Sequence, residues 1–465
     1  MSNKLWGGRF KKKTDKDFEE FSKSIHYDYK LAKYDIMYSL IHVVALEKVG
    51  ILSSGESLKL VKALGEILKD VKTDKFKPDL RSEDVHTEIQ NRVEKKLGKL
   101  AYKLHSLRSR NDQIVFDEKW YCLENGLAIG KLIINLIANL FFLAQKNEGQ
   151  FIVGYTHTQR AQAVSFMVYI MAFNRMFERD DERMERFCNN LFAYIGAGAL
   201  AGSSISRKNY KEAIKEFFKQ DIRAGKIKPL ENALDNVSDR DFILEFLSIL
   251  AITQMHLSRL AEDFILYASK EFDFFQLPEE FCTGSSLMPH KKNPDFLELV
   301  RGLTGRIYGN LTSVLTTMKG LPLAYNRDMQ LDKEPLFSST ETVKDELKIM
   351  AKFVKKIGLK KDSISKALCD ESLYATELAE FLVYQGVSFK QAHDLVGKLV
   401  QYSEDKKTKI KDIPDRILKS FHKKLDHKSI LRIMNPHYAV SSKKSLPQHK
   451  MISRRLPKKK TRKNK

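Results

Sequence analysis

The stretch DQIVFDEKWYCLENGLAIGKLIINLIANLFFLAQK (112–146) decides the fold class. It runs for 35 residues without proline and with only two glycines, and its apolar residues recur at helical intervals. Its most apolar part, Leu127 to Ala144, is about as long as a membrane span. Lys131, Asn135 and Asn139 recur there at four-residue spacing and draw one polar stripe, so it reads as a helix buried among other helices. Working outward, long helical stretches are expected over 162–194, 239–272 and 294–318, joined by loops at 147–161, 195–238 and 273–293. Only 22 glycines and 11 prolines in 465 residues fit such a chain and argue against turn-rich sandwiches and barrels. The expected fold is all-α: an elongated three-domain subunit with an N-terminal helical domain (1–107), a central long-helix bundle (108–361), a small C-terminal helical domain (362–441) and a basic tail (442–465).

The apolar positions of the central helices wrap most of each circumference. Packing against identical subunits is the economical way to bury them, so a homo-oligomer is expected. The composition, 43% hydrophobic and 30% charged, is that of a folded chain, and with the polar stripe it argues against a membrane role. The net charge of +22 is partly local, since residues 442–465 hold eleven cations and no acid. A solvated tail is the plain reading, nucleic-acid contact the minority alternative. Cys122, Cys188, Cys282 and Cys369 are scattered, with neither a disulfide framework nor zinc spacing, and the N-terminus has no apolar stretch of signal-peptide type. A reducing cytoplasmic setting is expected.

The unusual chemistry sits between the long helices. Residues 283–295 read TGSSLMPHKKNPD: a Gly-Ser-Ser turn, two lysines, then Asn293 and Pro294 placed to cap and open a helix. Capping leaves Ser285 and Lys291 unexplained. Hydroxyls, lysines and a helix start together suit an anion. No Walker A order is present, and GAGALAG (196–202) follows a helix rather than a strand, which excludes a nicotinamide loop. ERDDERMER (178–186) reads as a solvated helix face with internal ion pairs.

GSSLMPHKKN (284–293) resembles the GSSxMPxKxN signature of the fumarase, aspartase and argininosuccinate lyase superfamily. LWGGRF (5–10), SRNDQ (109–113), GYTHTQRAQ (154–162), ENALDNVSDRDF (231–242) and MKGLPLAYNRDMQLDKEPLF (318–337) are similar to the argininosuccinate lyase family within it. The resemblance runs from residue 5 to about residue 400. It implies a cytosolic homotetramer whose central helices form a common twenty-helix core, with active sites drawn from three subunits, no cofactor and no metal. The implied reaction is reversible anti elimination of argininosuccinate to arginine and fumarate. Loss of a proton beside a carboxylate builds a doubly negative aci-carboxylate, which fixed donors must meet.

By resemblance Ser285 is the base, Lys291 part of its activation, and His157 the group that protonates the departing guanidino nitrogen; the order of Ser285 and His157 stays open. Substrate-binding roles carry over onto Ser24, Asn111, Thr156, Asn293, Tyr325, Gln330 and Lys333. Arg110 and Arg240 are candidate carboxylate clamps, and His86 resembles a family histidine near the site. Departures from the pattern are Ser106-Leu107 in place of Thr-Gly, Thr158 and Ala163 in place of leucine and proline, SSISRKNY (203–210) without Pro-Ile-Asp, and no glycine pair near the C-terminus. The rival readings are another superfamily lyase, such as one acting on adenylosuccinate, and a non-catalytic crystallin-like relative.

Overall fold

The computed structural model describes residues 12–218 and 225–445; LWGGRF and the tail beyond 445 lie outside them. The short helices α1 (Lys16–Phe21) and α2 (Ile25–Asp28) precede α3 (Ala32–Lys48), α4 (Ser54–Lys72) and α5 (Val85–Leu97). A capping box starts α4: Ser53 Oγ accepts the Glu56 N–H, and the Glu56 carboxylate accepts the Ser53 N–H. The 112–146 stretch lies in α6 (Arg110–Lys146), a single helix of 37 residues.

Next come strands β1 (Phe151–Thr156) and β2 (Gln159–Ser165), α7 (Phe166–Asn190), β3 (Ala193–Ile195), α8 (Arg207–Phe218), β4 (Ile227–Pro229), α9 (Ala233–Ser238) and α10 (Asp241–Ala268). After β5 (Phe275–Gln276) follow α11 (Asp295–Met318), α12 (Lys333–Lys356), β6 (Gly358–Leu359) and six short helices, α13 (Lys361–Leu368) to α18 (Pro436–Ser441). Three two-stranded ribbons are the only sheets among the described residues.

The all-α expectation holds, with two local corrections. Residues 159–165 form β2 rather than the start of the 162–194 helix, because two residues, His157 and Thr158, close a tight hairpin before it. Residues 193–195 pair in parallel with 227–229 instead of ending that helix.

The chain packs as two compact units. Of the described residues, unit 1 takes those within 12–130, 182–218, 225–252 and 304–344, and unit 2 those within 131–181, 253–303 and 345–445. This partition differs from the three consecutive domains drawn on the sequence. In unit 1, α3 packs against α4, α5 and α8 and is buried nearly all round, with Ile36, Leu40, Ile41 and Leu46 beside buried Asp35, Ser39 and His42. In unit 2, Tyr155, Tyr169, Tyr267, Phe272, Phe274 and Phe275 stack or meet edge to face, which fastens the β1–β2 hairpin to the end of α10.

Candidate active site

The 283–293 loop is closed at its base by a short antiparallel bridge, Thr283 N–H to Asn293 C=O at 3.2 Å and Asn293 N–H to Thr283 C=O at 2.8 Å. The bridge takes the Asn293 backbone, and its side-chain amide reaches the Gly284 carbonyl at 3.5 Å, so α11 begins at Asp295 rather than at an Asn293 cap. Inside the loop, Ser285 Oγ accepts the N–H groups of Met288 (2.9 Å) and Leu287 (3.2 Å). Two oriented amides on one hydroxyl oxygen favour its oxyanion, which a serine base needs. Lys291 is exposed on the same loop.

His157 and Thr158 form the two-residue turn of the β1–β2 hairpin, at φ 53° and 57°. Positive φ at both positions is the type I′ pattern that Asn-Gly would satisfy without strain. A histidine and a β-branched threonine there are held by the hairpin at a cost, as happens where a side chain must point to a fixed place. A bulge at Gly154 and Tyr155 re-aims the strand, and a Cβ on Gly154 would lie 3.1 Å from the Gln162 carbonyl oxygen. The hairpin is tied to the C-terminal segment by Arg160–Asp370 (2.9 Å) and Gln162–Glu377 (3.0 Å). Thr156, His157, Ser285, Lys291 and Asn293 thus belong to unit 2, on two separate exposed turns.

Unit 1 gathers the others by a chain of contacts. Ser24 donates to Asp28 Oδ2 (2.6 Å), while Asp28 Oδ1 accepts the Val85 N–H (3.1 Å) at the start of α5. Burial, then the nearby Asp84, pushes the Asp28 carboxyl up to about 7. One residue on, His86 Nδ1 meets Asp35 Oδ1 at 2.9 Å, and Gln113 donates to the same oxygen. Burial works against the His86 imidazolium, yet the carboxylates led by Asp35 outweigh it and raise its pKa. Arg110 is bound by Asp84 (2.7 Å), Glu83 (3.4 Å) and Thr87 Oγ1 (2.9 Å). Gln330 and Arg327 both donate to the Ser22 carbonyl, which brings the 318–337 block beside Ser24.

Two predicted binders sit deeper. Arg240, fully buried, pairs through Nε with Asp332 (2.9 Å) and Glu118 (3.0 Å); Lys333 Nζ bonds to Asp332 Oδ1 and Glu118 Oε1, both at 2.7 Å. This closed square of two cations and two carboxylates takes Arg240 Nε, and Nη1 donates to the Asp239 carbonyl (2.8 Å), while the buried Nη2 has no hydrogen-bond partner among the described residues and is left as a donor. Tyr325 is half-buried, close enough to feel the charges of Lys333, Asp332 and Arg240.

Asn111 donates to the Ala199 carbonyl (3.2 Å) in the GAGALAG loop. That motif wraps a carboxylate: Asp112 Oδ2 accepts the Gly196 (3.1 Å) and Gly198 (3.4 Å) N–H groups and the Tyr38 hydroxyl (2.6 Å). Gly198 has φ 57° and its Cβ would lie 2.5 Å from the Gly202 oxygen, so only glycine serves. Burial still raises the Asp112 carboxyl, to about 6.

Sequence reasoning missed the carboxylates Asp28, Asp35, Glu118 and Asp332. An acid inside an apolar helical run, as in AKYDIMYSLIHVVAL or IVFDEKWYCL, was the available signal. A metal is a further question for Asp35, His86 and Asp117, whose ligand atoms lie within 4.8 Å of one another; Arg108 at the same carboxylates already supplies positive charge.

Comparison with known proteins then fixes the family. A lyase family model matches residues 8–309, and a model of the argininosuccinate lyase C-terminal region matches 372–441. The chain is 45% identical over 419 residues to argininosuccinate lyase of Clostridium kluyveri, covering 90% of this chain and 94% of that one. It is 42% identical over 438 residues to the enzyme of that name from Caldanaerobacter subterraneus subsp. tengcongensis, covering 92% and 97%. The chain belongs to the argininosuccinate lyase family. Among solved structures the fold is shared with EDDS lyase in complex with formate (TM-score 0.75, 22% identity, 92% of this chain and 86% of that one). Class II fumarase from Schistosoma mansoni is similar in the same way (TM-score 0.74, 19% identity, 88% and 90%). Family members of this length match along nearly the whole chain, so both exposed turns and the buried square lie inside the shared region.

Proposed function

We propose that this chain is a carbon–nitrogen lyase that splits argininosuccinate reversibly into L-arginine and fumarate, as the last step of arginine biosynthesis. The observation that carries the chemistry is the Ser285 hydroxyl oxygen held by two backbone N–H groups. Ser285 Oγ, as alkoxide, takes the proton from the carbon beside a succinyl carboxylate. The electron pair left on carbon spreads into that carboxylate, where Lys291 and Asn293 meet the added charge. When the C–N bond breaks, its electrons leave with the guanidino nitrogen, which takes a proton from His157. Fumarate retains the new double bond.

Thr156, Asn111, Ser24, Tyr325, Gln330 and Lys333 hold the substrate's carboxylates and amino groups, with Arg110, Arg240 and His86 at the edge of that set. We further propose a homotetramer in which these residues meet from different subunits. Exposed apolar side chains on α6 (Leu127, Ile134, Phe142) and α11 (Leu299, Tyr308, Leu315) support it. The helices α6 and α10 are long and apolar enough to cross a membrane by length and composition. We read both as bundle helices, given their buried carboxylates and polar groups, and place the protein in the cytoplasm. We also propose the domain organisation drawn on the sequence, an N-terminal helical domain (1–107), a central long-helix bundle (108–361) and a small C-terminal helical domain (362–441). The direct test is purified protein with argininosuccinate: fumarate absorbance and arginine appear together. Turnover of adenylosuccinate instead would overturn the substrate assignment.

A further inference from the structure

The side chain of His157 has no hold of its own. The Thr158 hydroxyl donates to the His157 carbonyl at 2.6 Å, but among the described residues no hydrogen bond or ion pair reaches the imidazole, so the ring goes where the backbone of the β1–β2 turn sends it. That backbone is strained, with positive φ at both His157 and Thr158. The ladder behind the turn is interrupted as well: Tyr155 pairs with Arg160 and Gly154 with Gln162, which leaves Ala161 out of register. A bulged ribbon of two strands is marginal by itself and has to be held from outside.

Two acids of the C-terminal segment hold it, one through each residue flanking Ala161. Asp370 Oδ1 accepts the Ser372 N–H (3.1 Å) and hydroxyl (2.7 Å), which fixes the carboxylate and leaves Oδ2 to take Arg160 Nη1 at 2.9 Å. Glu377 lies in the first turn of α14 (Ala375–Tyr384) and is 2% exposed; its Oε1 accepts Gln162 Nε2 at 3.0 Å. A buried carboxylate needs a cation. Lys443, just past α18, supplies it, with Nζ 3.1 Å from the same oxygen and 2.6 Å from Glu380.

We propose that Asp370 and Glu377 are positioning residues for His157. By fixing Arg160 and Gln162 on either side of the bulge, they set where the turn presents the imidazole to the departing guanidino nitrogen. Proton delivery requires hydrogen-bond reach, and a displacement of about 1 Å can cost on the order of 10²-fold in rate. The Arg160 and Asp370 side chains are 44% and 30% exposed, and pairs so exposed add little to stability, so this one matters for placement more than for folding. The inference rests on the proposed reaction and on His157 as its proton donor.

Two variants of the full-length protein test it. Glu377→Met removes the acceptor of Gln162, and Asp370→Asn removes the charge facing Arg160 while keeping an acceptor for Ser372. Both speed amide hydrogen exchange in peptides covering 151–165, a readout that needs no substrate. Glu377→Met lowers kcat by about tenfold or more and Asp370→Asn by about threefold, with KM within about twofold of wild type, because the proton is needed only in the transition state. Glu377→Gln keeps an acceptor and holds kcat within about threefold of wild type. In a His157→Gln background neither substitution lowers kcat further, since no imidazole is left to place. Unchanged exchange over 151–165, unchanged kcat, the same loss with and without His157, or wild-type turnover in His157→Gln overturns the proposal. An inactive wild type whose hairpin exchange responds as stated refutes the reaction alone, and an active one whose exchange does not respond refutes the positioning alone.

Discussion

The two groups of proposed site residues are built in opposite ways. In unit 2, Ser285, Lys291 and His157 stand on exposed turns and are shaped by backbone: two amides on a hydroxyl, a bridge at the base of a loop, a two-residue turn with positive φ. In unit 1, Lys333, Arg240, His86 and Ser24 are shaped by other side chains, nearly all buried carboxylates. Exposed turns keep reactive groups open to a substrate. Buried charge squares are rigid, because moving one member strands another without a partner. The contrast suggests a division of labour, chemistry on the turns and recognition on the rigid network, and it can be broken at several points.

The largest effect belongs to the exposed half. Ser285→Ala is expected to lower kcat by about 10²–10⁴-fold, the range for a lost acid–base group, with little change in thermal midpoint because the loop's bridge does not involve the hydroxyl. A stopped assay for fumarate with circular dichroism checks both. Turnover within a few-fold of wild type removes Ser285 from the base position.

Next comes the buried square. Glu118→Gln leaves Arg240 and Lys333 facing one carboxylate, and the uncompensated charge should destabilise the chain by about 3–5 kcal/mol. The matching cut on the exposed half, Glu279→Gln, removes the partner of Lys292 where both side chains are mostly in water, and no measurable change is expected. Urea titrations of the two variants side by side decide the matter; equal losses would show that the square is no more rigid than a surface pair.

That contrast also explains what could be read in advance. Four of the five described helices of 24 to 37 residues were legible because their apolar periodicity is long and few glycines or prolines interrupt it; α12 was not singled out. Ser285, Lys291 and His157 were legible because their loops hold residue types no helix or core needs. The hairpin at 151–165 was not, since QRAQAVS has no clear alternation and a His-Thr turn lacks the usual glycine. The surroundings of Arg240 were not legible for a similar reason: its partners Glu118 and Asp332 lie 122 and 92 residues away in sequence, and only folding brings them together. GAGALAG, rejected as a nicotinamide loop, cradles Asp112 instead, with backbone N–H groups turned on an internal anion.

A smaller effect carries a pH signature. Asp28 has a carboxyl raised from 3.8 to about 7 by burial, so its protonated form suits the fold and its ionised form does not. The stabilisation is complete below the unfolded value near 4 and is lost as pH rises toward 7. Asp28→Asn keeps an acceptor for the Val85 N–H and cannot ionise. The variant should melt higher than wild type at pH 8, by on the order of a few kcal/mol, and show no such gain at pH 4. A gain independent of pH would mean that the network around Ser24 does not feel the charge.

The smallest effect concerns a departure from the family pattern next to the recognition half. Leu107 stands where a glycine is usual, and its φ of 59° is the left-handed conformation that glycine would adopt freely. Its side chain is 40% exposed, and its carbonyl accepts the Ser203 hydroxyl at 2.8 Å, tying the start of α6 to the segment after GAGALAG. The backbone has therefore kept its path, and the leucine bears a strain of roughly 1–2 kcal/mol. Leu107→Gly relieves that strain but adds entropy to the unfolded chain, so the net gain should be only about 0.5–1 kcal/mol, with turnover unchanged. If instead the midpoint falls, the leucine side chain makes up the strain by packing; if turnover changes with stability constant, the side chain rather than the backbone shapes the approach to Asn111.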